Sequence, residues 1–287
     1  MTKIVCYVPT YCQSEAELLN RPYTRLPQSE IDQRVRNPEN RSRPGMYFDV
    51  IDSILNTRPD IKLVVADGRS TDSIRTYLER HRDSNGGYEL KLYPEKMSQW
   101  AIFNDIYNDN KDADYFVYSS SDIIWHHDWV GEAIKEFEKN PKLQILFPCV
   151  NKGDPNLPCQ IAPGVRNLDP ILPPYQDAAK ARVINAYAMI FRMDFLREYG
   201  GYPNAYRNCF TESFLNYMCE AVGGEMRVMP RGHVFHWGEG DKWGTEVGSP
   251  YYYNEEKFVF QAMMNELLMY RAMGLVNKEY LKKKLYK

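Results

Sequence analysis

The chain has no apolar run approaching the roughly 20 residues that a membrane span needs. It has no Cys-x-x-Cys pair and no internal repeat. The first absence argues against an integral membrane protein. The second argues against a cysteine metal site. Cys6, Cys12, Cys149, Cys159, Cys209 and Cys219 are scattered, several within apolar segments. They read as reduced, mostly buried thiols of a cytoplasmic protein. Charge of one sign is also missing. A net charge of -2 argues against a general nucleic-acid scaffold, though a local basic patch remains open. A strand over Lys3 to Val8 begins almost at once, so the N-terminus does not read as a signal peptide. What remains is an ordinary globular composition, with 287 residues for one large domain or a domain with appendages. The 22 tyrosines suit carbohydrate sites and ordinary cores equally.

The first half alternates between short apolar runs and helical periodicity. Strands are expected at Ile4 to Val8, Ile61 to Ala66, Leu90 to Tyr93, Tyr115 to Tyr118 and Leu143 to Val150. Helices are expected at Met46 to Thr57, Ser73 to Arg82, Met97 to Tyr107 and His127 to Asn140. This order gives an α/β domain, a mostly parallel sheet with helices on both faces and right-handed crossovers. The second half is less regular. Asn151 to Asp177 reads as a long loop. Val183 to Arg192 reads as a strand and Glu212 to Val222 as a helix stopped by Gly223-Gly224. Glu225 to Met229 and His233 to Trp237 read as short extended pieces. Asn254 to Met273 and Lys278 to Tyr286 read as helices.

The most informative stretch is Asp67-Gly68-Arg69-Ser70-Thr71-Asp72, directly after the apolar strand. Gly68 permits a sharp turn, and Asp72, with Ser70 and Thr71, is expected to cap the next helix. Asp67 stands at the carboxyl end of the strand, where open α/β sheets bind ligands. The same residues also fit a plain strand, turn and capped helix.

Four motifs in order carry a resemblance. They are Val8-Pro9-Thr10-Tyr11; Val65 to Asp72; Ser119-Ser120-Ser121-Asp122; and Gly200-Gly201-Tyr202-Pro203 followed by Phe210-Thr211-Glu212-Ser213-Phe214. Together they resemble a family 2-type glycosyltransferase of the GT-A fold, which is Rossmann-like. The resemblance implies an inverting transfer of a sugar from a UDP- or GDP-sugar to an acceptor hydroxyl. It implies a GT-A domain over residues 1–245 and leaves a C-terminal helical extension over 246–287.

The resemblance carries Pro9, Thr10, Tyr11, Asp67, Arg69 and Ser121 over as donor-binding residues. An aspartate can accept a base N–H and a tyrosine can stack on the base. Asp122 matches the last acid of the family's Asp-x-Asp, a ligand for Mn²⁺ or Mg²⁺ bridging the donor phosphates. Ser120 stands where the first acid is usual. His236 is the expected further metal ligand, with His233 facing the other way, and His126 and His127 are expected to face solvent. Glu212 matches the catalytic base, although a first-turn acid also suits the helix dipole. Thr211 replaces the family's preceding acid. Tyr202, Trp237 and Trp243 fit sugar platforms or core packing.

An insertion over 20–45 carries Arg21, Arg25, Arg34, Arg36, Arg41 and Arg43. It reads as a solvated loop, or as a lid or acceptor arm for a phosphate-bearing acceptor. The loop over 151–180 is placed on the acceptor side. The acceptor is a glycan or another hydroxyl-bearing molecule. Phe258, Met263, Leu267, Leu268 and Tyr270 are expected to pack on the domain or form a homodimer contact. Lys282 to Lys284 read as a solvated tail. A nucleotidyltransferase would need a Gly-rich basic loop after the first strand, and Pro9-Thr10-Tyr11 is not one. A non-catalytic nucleotide-sugar binder is the other alternative, prompted by Ser120 and Thr211.

Overall fold

The computed structural model describes residues 2–12, 22–36, 43–150, 187–206, 211–236 and 250–286. The elements run β1 (Ile4–Thr10), α1 (Gln28–Arg36), α2 (Arg43–Thr57), β2 (Lys62–Asp67), α3 (Asp72–Asn85), β3 (Tyr88–Leu92), α4 (Gln99–Asp109), β4 (Tyr115–Ser119), β5 (Ile123–Trp125), α5 (Trp129–Lys139) and β6 (Leu143–Val150). Then come β7 (Ala188–Arg192), α6 (Met193–Tyr199), a 3-10 turn (Thr211–Phe214), α7 (Leu215–Ala221) and β8 (Glu225–His236). A long helix, Pro250–Ala272, and a final one, Lys278–Leu285, follow. Residues 151–186, with Cys159, and Cys209, Phe210, Trp237 and Trp243, for which the sequence raises expectations, lie outside the described residues.

The strands form one sheet in the order β3-β2-β1-β4-β7-β6-β8-β5. It is parallel from β3 to β4 and again between β6 and β8. β7 runs antiparallel to both its neighbours, and β5 antiparallel to β8. The sheet is therefore mixed, mostly parallel as expected, with the antiparallel pairs made by β7 and β5. Alternate residues of the central strands feed two cores. Cys6, Val8, Leu63, Val65 and Val117 face the side covered by α1, α2, α3 and α5. Val5, Tyr7, Val64, Ala66, Phe116 and Tyr118 face α4, α6, α7 and the C-terminal helices. Burial on both faces is why these strands read as continuous apolar runs.

Several expectations change. Asp72 is the first residue of α3, and Thr71 is its cap without a side-chain hydrogen bond. Ser70 instead accepts from the Cys12 N–H at 2.9 Å, so the hydroxyl serves the turn rather than the helix. β8 is continuous through Pro230 and Gly232, which read as breakers. Irregular register against β6, between Phe147 and Cys149, absorbs the kink. The 212–222 helix is split into the 3-10 turn and α7. Within the insertion, α1 is docked on the domain. Ile31 and Val35 are fully buried, and Arg34 Nε lies 3.0 Å from the carboxylate of buried Asp49. His126 does not face solvent: its Nδ1 lies 2.9 Å from Asp32 on α1, and its side chain is 4% exposed. The insertion and the segment after β5 are thus joined by a buried pair that no local pattern encodes.

Met263 and Leu267 of the long helix pack into the second core, whereas Phe258 and Leu268 are exposed. Cys6, Cys12, Cys149 and Cys219 are free and buried. No helix among the described residues is long and apolar enough to cross a membrane.

Phe103 packs against Tyr7, Trp100, Phe116, Phe191 and Tyr202. Phe103→Ala is expected to destabilise by about 3–5 kcal/mol through the cavity it leaves. Phe258→Ala, at an 81% exposed position, is expected to change stability by less than about 0.5 kcal/mol in the monomer. Denaturant unfolding of both variants checks the contrast.

Candidate active site

Strand order reverses between β1 and β4: the chain moves outward to β2 and β3 on one side and starts again at β4 on the other. The crevice beyond the carboxyl ends at such a point is where open α/β sheets bind ligands. Register places Thr10 beside Asp67 and Pro9 beside Ala66 at that edge. The predicted donor residues therefore converge there.

Asp67 is fully buried. Its Oδ1 accepts the backbone N–H groups of Arg69 at 3.1 Å and Ser70 at 2.9 Å. Its Oδ2 accepts the Thr10 hydroxyl at 3.1 Å and the Ser70 hydroxyl. Arg75 Nε of α3 stands 3.4 Å from Oδ1, and Arg75 Nη2 donates to Tyr93 O at 2.9 Å. The sequence expectation has this carboxylate accept a base N–H. In the fold both oxygens are engaged internally, and Asp67 shapes the surface formed by Thr10, Tyr11 and Arg69. Gly68 donates to Thr10 O at 2.9 Å, closing the same turn.

Arg69 has φ 80°, and no other non-glycine among the described residues has positive φ. The family motif places a small residue here, and the backbone geometry shows why. A left-handed conformation costs an L-residue about 1–2 kcal/mol, and the Asp67 bond to the Arg69 N–H holds it in place.

Tyr11 follows β1 and is half-buried. The Tyr47 hydroxyl lies 3.4 Å from its backbone N and also donates to its carbonyl. Lys96, in the loop between β3 and α4, places Nζ 4.9 Å from the centroid of the Tyr11 ring. Lys96 carries no signal in a local pattern, since its role depends on that long-range contact.

Across the crevice, β4 ends at Ser119, and Ser120 and Ser121 lead into Asp122. β5 then pairs with the end of β8, setting Ile123 opposite His236. That pairing brings His236 Nε2 to 3.1 Å from Asp122 Oδ2. The other oxygen, Oδ1, is buried and has no hydrogen-bond partner among the described residues. Burial pushes the Asp122 carboxyl up, but the His236 charge and hydrogen bond, helped by Ser120, hold it below the usual carboxylate range. The Tyr187 ring lies 4.2 Å from the His236 ring, and Tyr187 O accepts the Ser120 N–H at 2.8 Å. Tyr187 thus orients both halves of the pair, and sequence reasoning singled it out for nothing.

A hard divalent cation needs oxygen ligands, and an orphaned buried carboxylate oxygen beside an imidazole is a suitable donor set. No cluster of three or more His, Cys, Asp or Glu capable of holding a metal occurs among the described residues. Asp122 and His236 can therefore supply two ligands, with the remaining positions open to phosphate and water.

Glu212 lies in the 3-10 turn, half-buried, between buried Thr211 and Ser213. Tyr118 connects it to the rest. Burial raises the Tyr118 hydroxyl strongly, and the charges of Asp122 and, less, Glu212 raise it further. The Tyr118 hydroxyl, at the end of β4, donates to Gln99 Oε1 at 3.2 Å. Tyr202 is fully buried and stacked on Trp100 at 4.3 Å. It is a core residue here, not an open sugar platform. Asn104 of α4 accepts the Tyr202 N–H at 2.7 Å and donates to its carbonyl at 2.9 Å. A Cβ on Gly201 would meet Asn104 Oδ1 at 2.4 Å, so glycine is required for that clamp.

A family model described as "Glycosyl transferase family 2" matches residues 49–200, more than half of the 287-residue chain. The chain belongs to glycosyl transferase family 2. The family 2 match contains Asp67, Arg69, Ser121 and Asp122 and stops before Glu212 and His236. Solved structures with the same fold include GalNAc-T7 with UDP, GalNAc and Mn²⁺, at TM-score 0.59 and 12% identity; the alignment covers 98% of this chain and 54% of that one. The mannosyltransferase PcManGT of Pyrobaculum calidifontis, with GDP-Man and Mn²⁺, aligns at TM-score 0.52 and 15% identity, over 85% of this chain and 59% of that one. TarS 1-349 of S. aureus with UDP-GlcNAc gives TM-score 0.52 and 12% identity, over 82% and 58%. The chain thus spans between half and two thirds of the length of each. No curated protein matches it in sequence.

Replacing Arg69 by Gly relieves the left-handed backbone. Arg69→Gly is expected to raise unfolding free energy by about 1 kcal/mol, read as a higher denaturant midpoint at unchanged slope. A lowered midpoint would refute the assignment of strain to this position.

Proposed function

We propose that the protein is an inverting glycosyltransferase that uses a UDP- or GDP-sugar and delivers the sugar to an acceptor hydroxyl. The observation that carries this is the joining of Asp122 and His236 beside the switch point of a family 2 fold. Tyr11 and Arg69 receive the nucleotide on the surface that Asp67 and the buried Thr10 organise, with Ser121 completing the donor site. Asp122 and His236 would hold Mn²⁺ or Mg²⁺, whose chemistry is to offset charge on the departing diphosphate.

Glu212 takes the proton of the acceptor hydroxyl as its oxygen attacks the anomeric carbon. The new glycosidic bond forms on the face opposite the leaving group. The bond from anomeric carbon to diphosphate oxygen breaks, and the nucleoside diphosphate carries off that electron pair. Configuration at the anomeric carbon is inverted. Burial of Tyr118 keeps its hydroxyl protonated, and that proton is donated to Gln99 Oε1. The four free, buried cysteines suit a reducing, cytoplasmic compartment.

Glu212→Gln is expected to lower turnover of the nucleotide sugar by about 10²–10⁴-fold while leaving donor affinity within a factor of about three. Turnover in Mn²⁺ over a panel of UDP- and GDP-sugars, with water or a glycan as acceptor, checks this. Wild-type turnover in the variant would remove Glu212 as base. Donor binding without any turnover, even in the wild type, would favour a non-catalytic binder. Asp122→Asn is expected to abolish the metal dependence of UDP or GDP binding, measured by titration with and without Mn²⁺.

A further inference from the structure

The loop between β3 and α4 is fixed at both ends. Tyr93 N–H donates to Asp67 O at 3.0 Å, and Ser98 caps α4 by accepting the Ala101 N–H at 3.2 Å. Between these anchors residues 94–97 are exposed. The loop passes over the Asp-Gly turn: a Cβ on Gly68 would lie 3.8 Å from Met97 O and 3.7 Å from Thr10 O. Its outermost charged group is therefore delivered to the end of β1. That group is Lys96, whose ammonium sits 4.9 Å above the Tyr11 ring. Lys96 makes no ion pair among the described residues. Lys62, Lys91, Lys278 and Lys284, by contrast, are paired with acids. Lys96, like Lys111 over Tyr107, lies on an aromatic face instead.

The Tyr11 face is the surface on which a nucleotide base would stack. In the empty site the ammonium occupies it. An exposed cation–π contact is weaker than stacking of a base on an aromatic ring, so a base wins the exchange. The displaced ammonium stays on its four-carbon stem, anchored beside the turn that presents Arg69. The anionic group closest to a base stacked on Tyr11 is the diphosphate of the same ligand. Lysine is a flexible point charge suited to such a move, whereas a planar guanidinium would hold the ring face more firmly.

We infer that Lys96 is a placeholder: it covers the Tyr11 platform in the empty site and, once a base displaces it, pairs with the nucleoside diphosphate. The inference rests on the donor reading proposed above. It makes two demands of opposite sign on one side chain. The lysine opposes a bare nucleoside, which must evict it and offers no phosphate in return. It favours a nucleoside diphosphate, which repays the eviction with charge.

The test is titration calorimetry of the full chain, wild type and Lys96→Ala, with uridine, UDP, guanosine and GDP in Mn²⁺. Removing the lysine is expected to tighten the preferred nucleoside by about two- to fivefold. It is expected to weaken the matching diphosphate by about three- to tenfold, a loss that shrinks with added salt. In a Tyr11→Ala background the gain for the nucleoside should vanish while the loss for the diphosphate persists. Lys96→Arg should restore diphosphate binding. A structural role for Lys96 would move nucleoside and diphosphate in the same direction, and that result overturns the placeholder while leaving the donor reading intact. Failure of the wild type to bind UDP or GDP at all overturns the donor reading, and the placeholder with it.

Discussion

One buried carboxylate holds the nucleotide end of this fold together. Asp67 has no exposed surface, and an isolated charge so placed would cost several kcal/mol. The chain answers with four hydrogen bonds and the Arg75 guanidinium. The donors come from three pieces: Thr10 at the end of β1, Arg69 and Ser70 in the turn, and Arg75 in α3. The charge can be satisfied only when β1 and β2 lie in register and the turn takes the shape that puts Arg69 at positive φ. Strain at Arg69 is the local cost of satisfying Asp67. Arg75 carries the constraint on to β3 through Tyr93, and so to the loop bearing Lys96. The surface proposed to take the donor is thus shaped by a carboxylate buried beneath it.

The same logic governs the other face of the crevice. Asn104 replaces backbone partners for Tyr202, tying α4 to the Gly200-Gly201 corner. Tyr202 then stacks with Trp100 and fills the core beneath Tyr118. The 3-10 turn bearing Glu212 packs on this framework through Phe214, which is fully buried against Tyr206 and Phe260. A rigid bed of aromatic rings under a carboxylate restricts its rotamers, which is what a base needs to meet an acceptor hydroxyl at hydrogen-bond distance.

What could be read from sequence follows from how local the cause is. β6 shows its bounds, Leu143 to Val150, in its own apolar run, because a strand buried on both faces carries its signal in itself. β1, β2, β4 and the helices between them are legible for the same reason to within a few residues. The turn at Asp67 to Asp72 shows in sequence as a turn, but its wiring does not. Ser70 and Thr71 look like caps, and only the approach of Cys12 and Thr10 from β1 shows that Ser70 faces the strand. His126 looks exposed because its partner, Asp32, is 94 residues away. Lys96 and Tyr187 were invisible because each acts through a ring distant in sequence.

The pairing of β5 with β8 shows how far such long-range constraint reaches. β5 is three residues, too short for any periodicity, and β8 contains Pro230 and Gly232, which oppose strand formation locally. Neither would persist alone. β6 supplies a parallel partner for β8 despite its irregular register. Trp125 anchors β5 by donating from Nε1 to Ser119 at 3.2 Å and from its backbone N–H to Ser53 at 3.0 Å. Once both are fixed, the antiparallel register of Ile123 with His236 leaves Asp122 no alternative but to meet the imidazole. Two groups 114 residues apart in sequence are then 3.1 Å apart. The motif at 119–122 supplies one member of the pair; tertiary pairing supplies the second. A substitution that disrupts β5 far from the crevice, at Trp125 or Ser53, should therefore separate the carboxylate from the imidazole without touching either residue. The Asp122–His236 distance depends on that edge strand being in place.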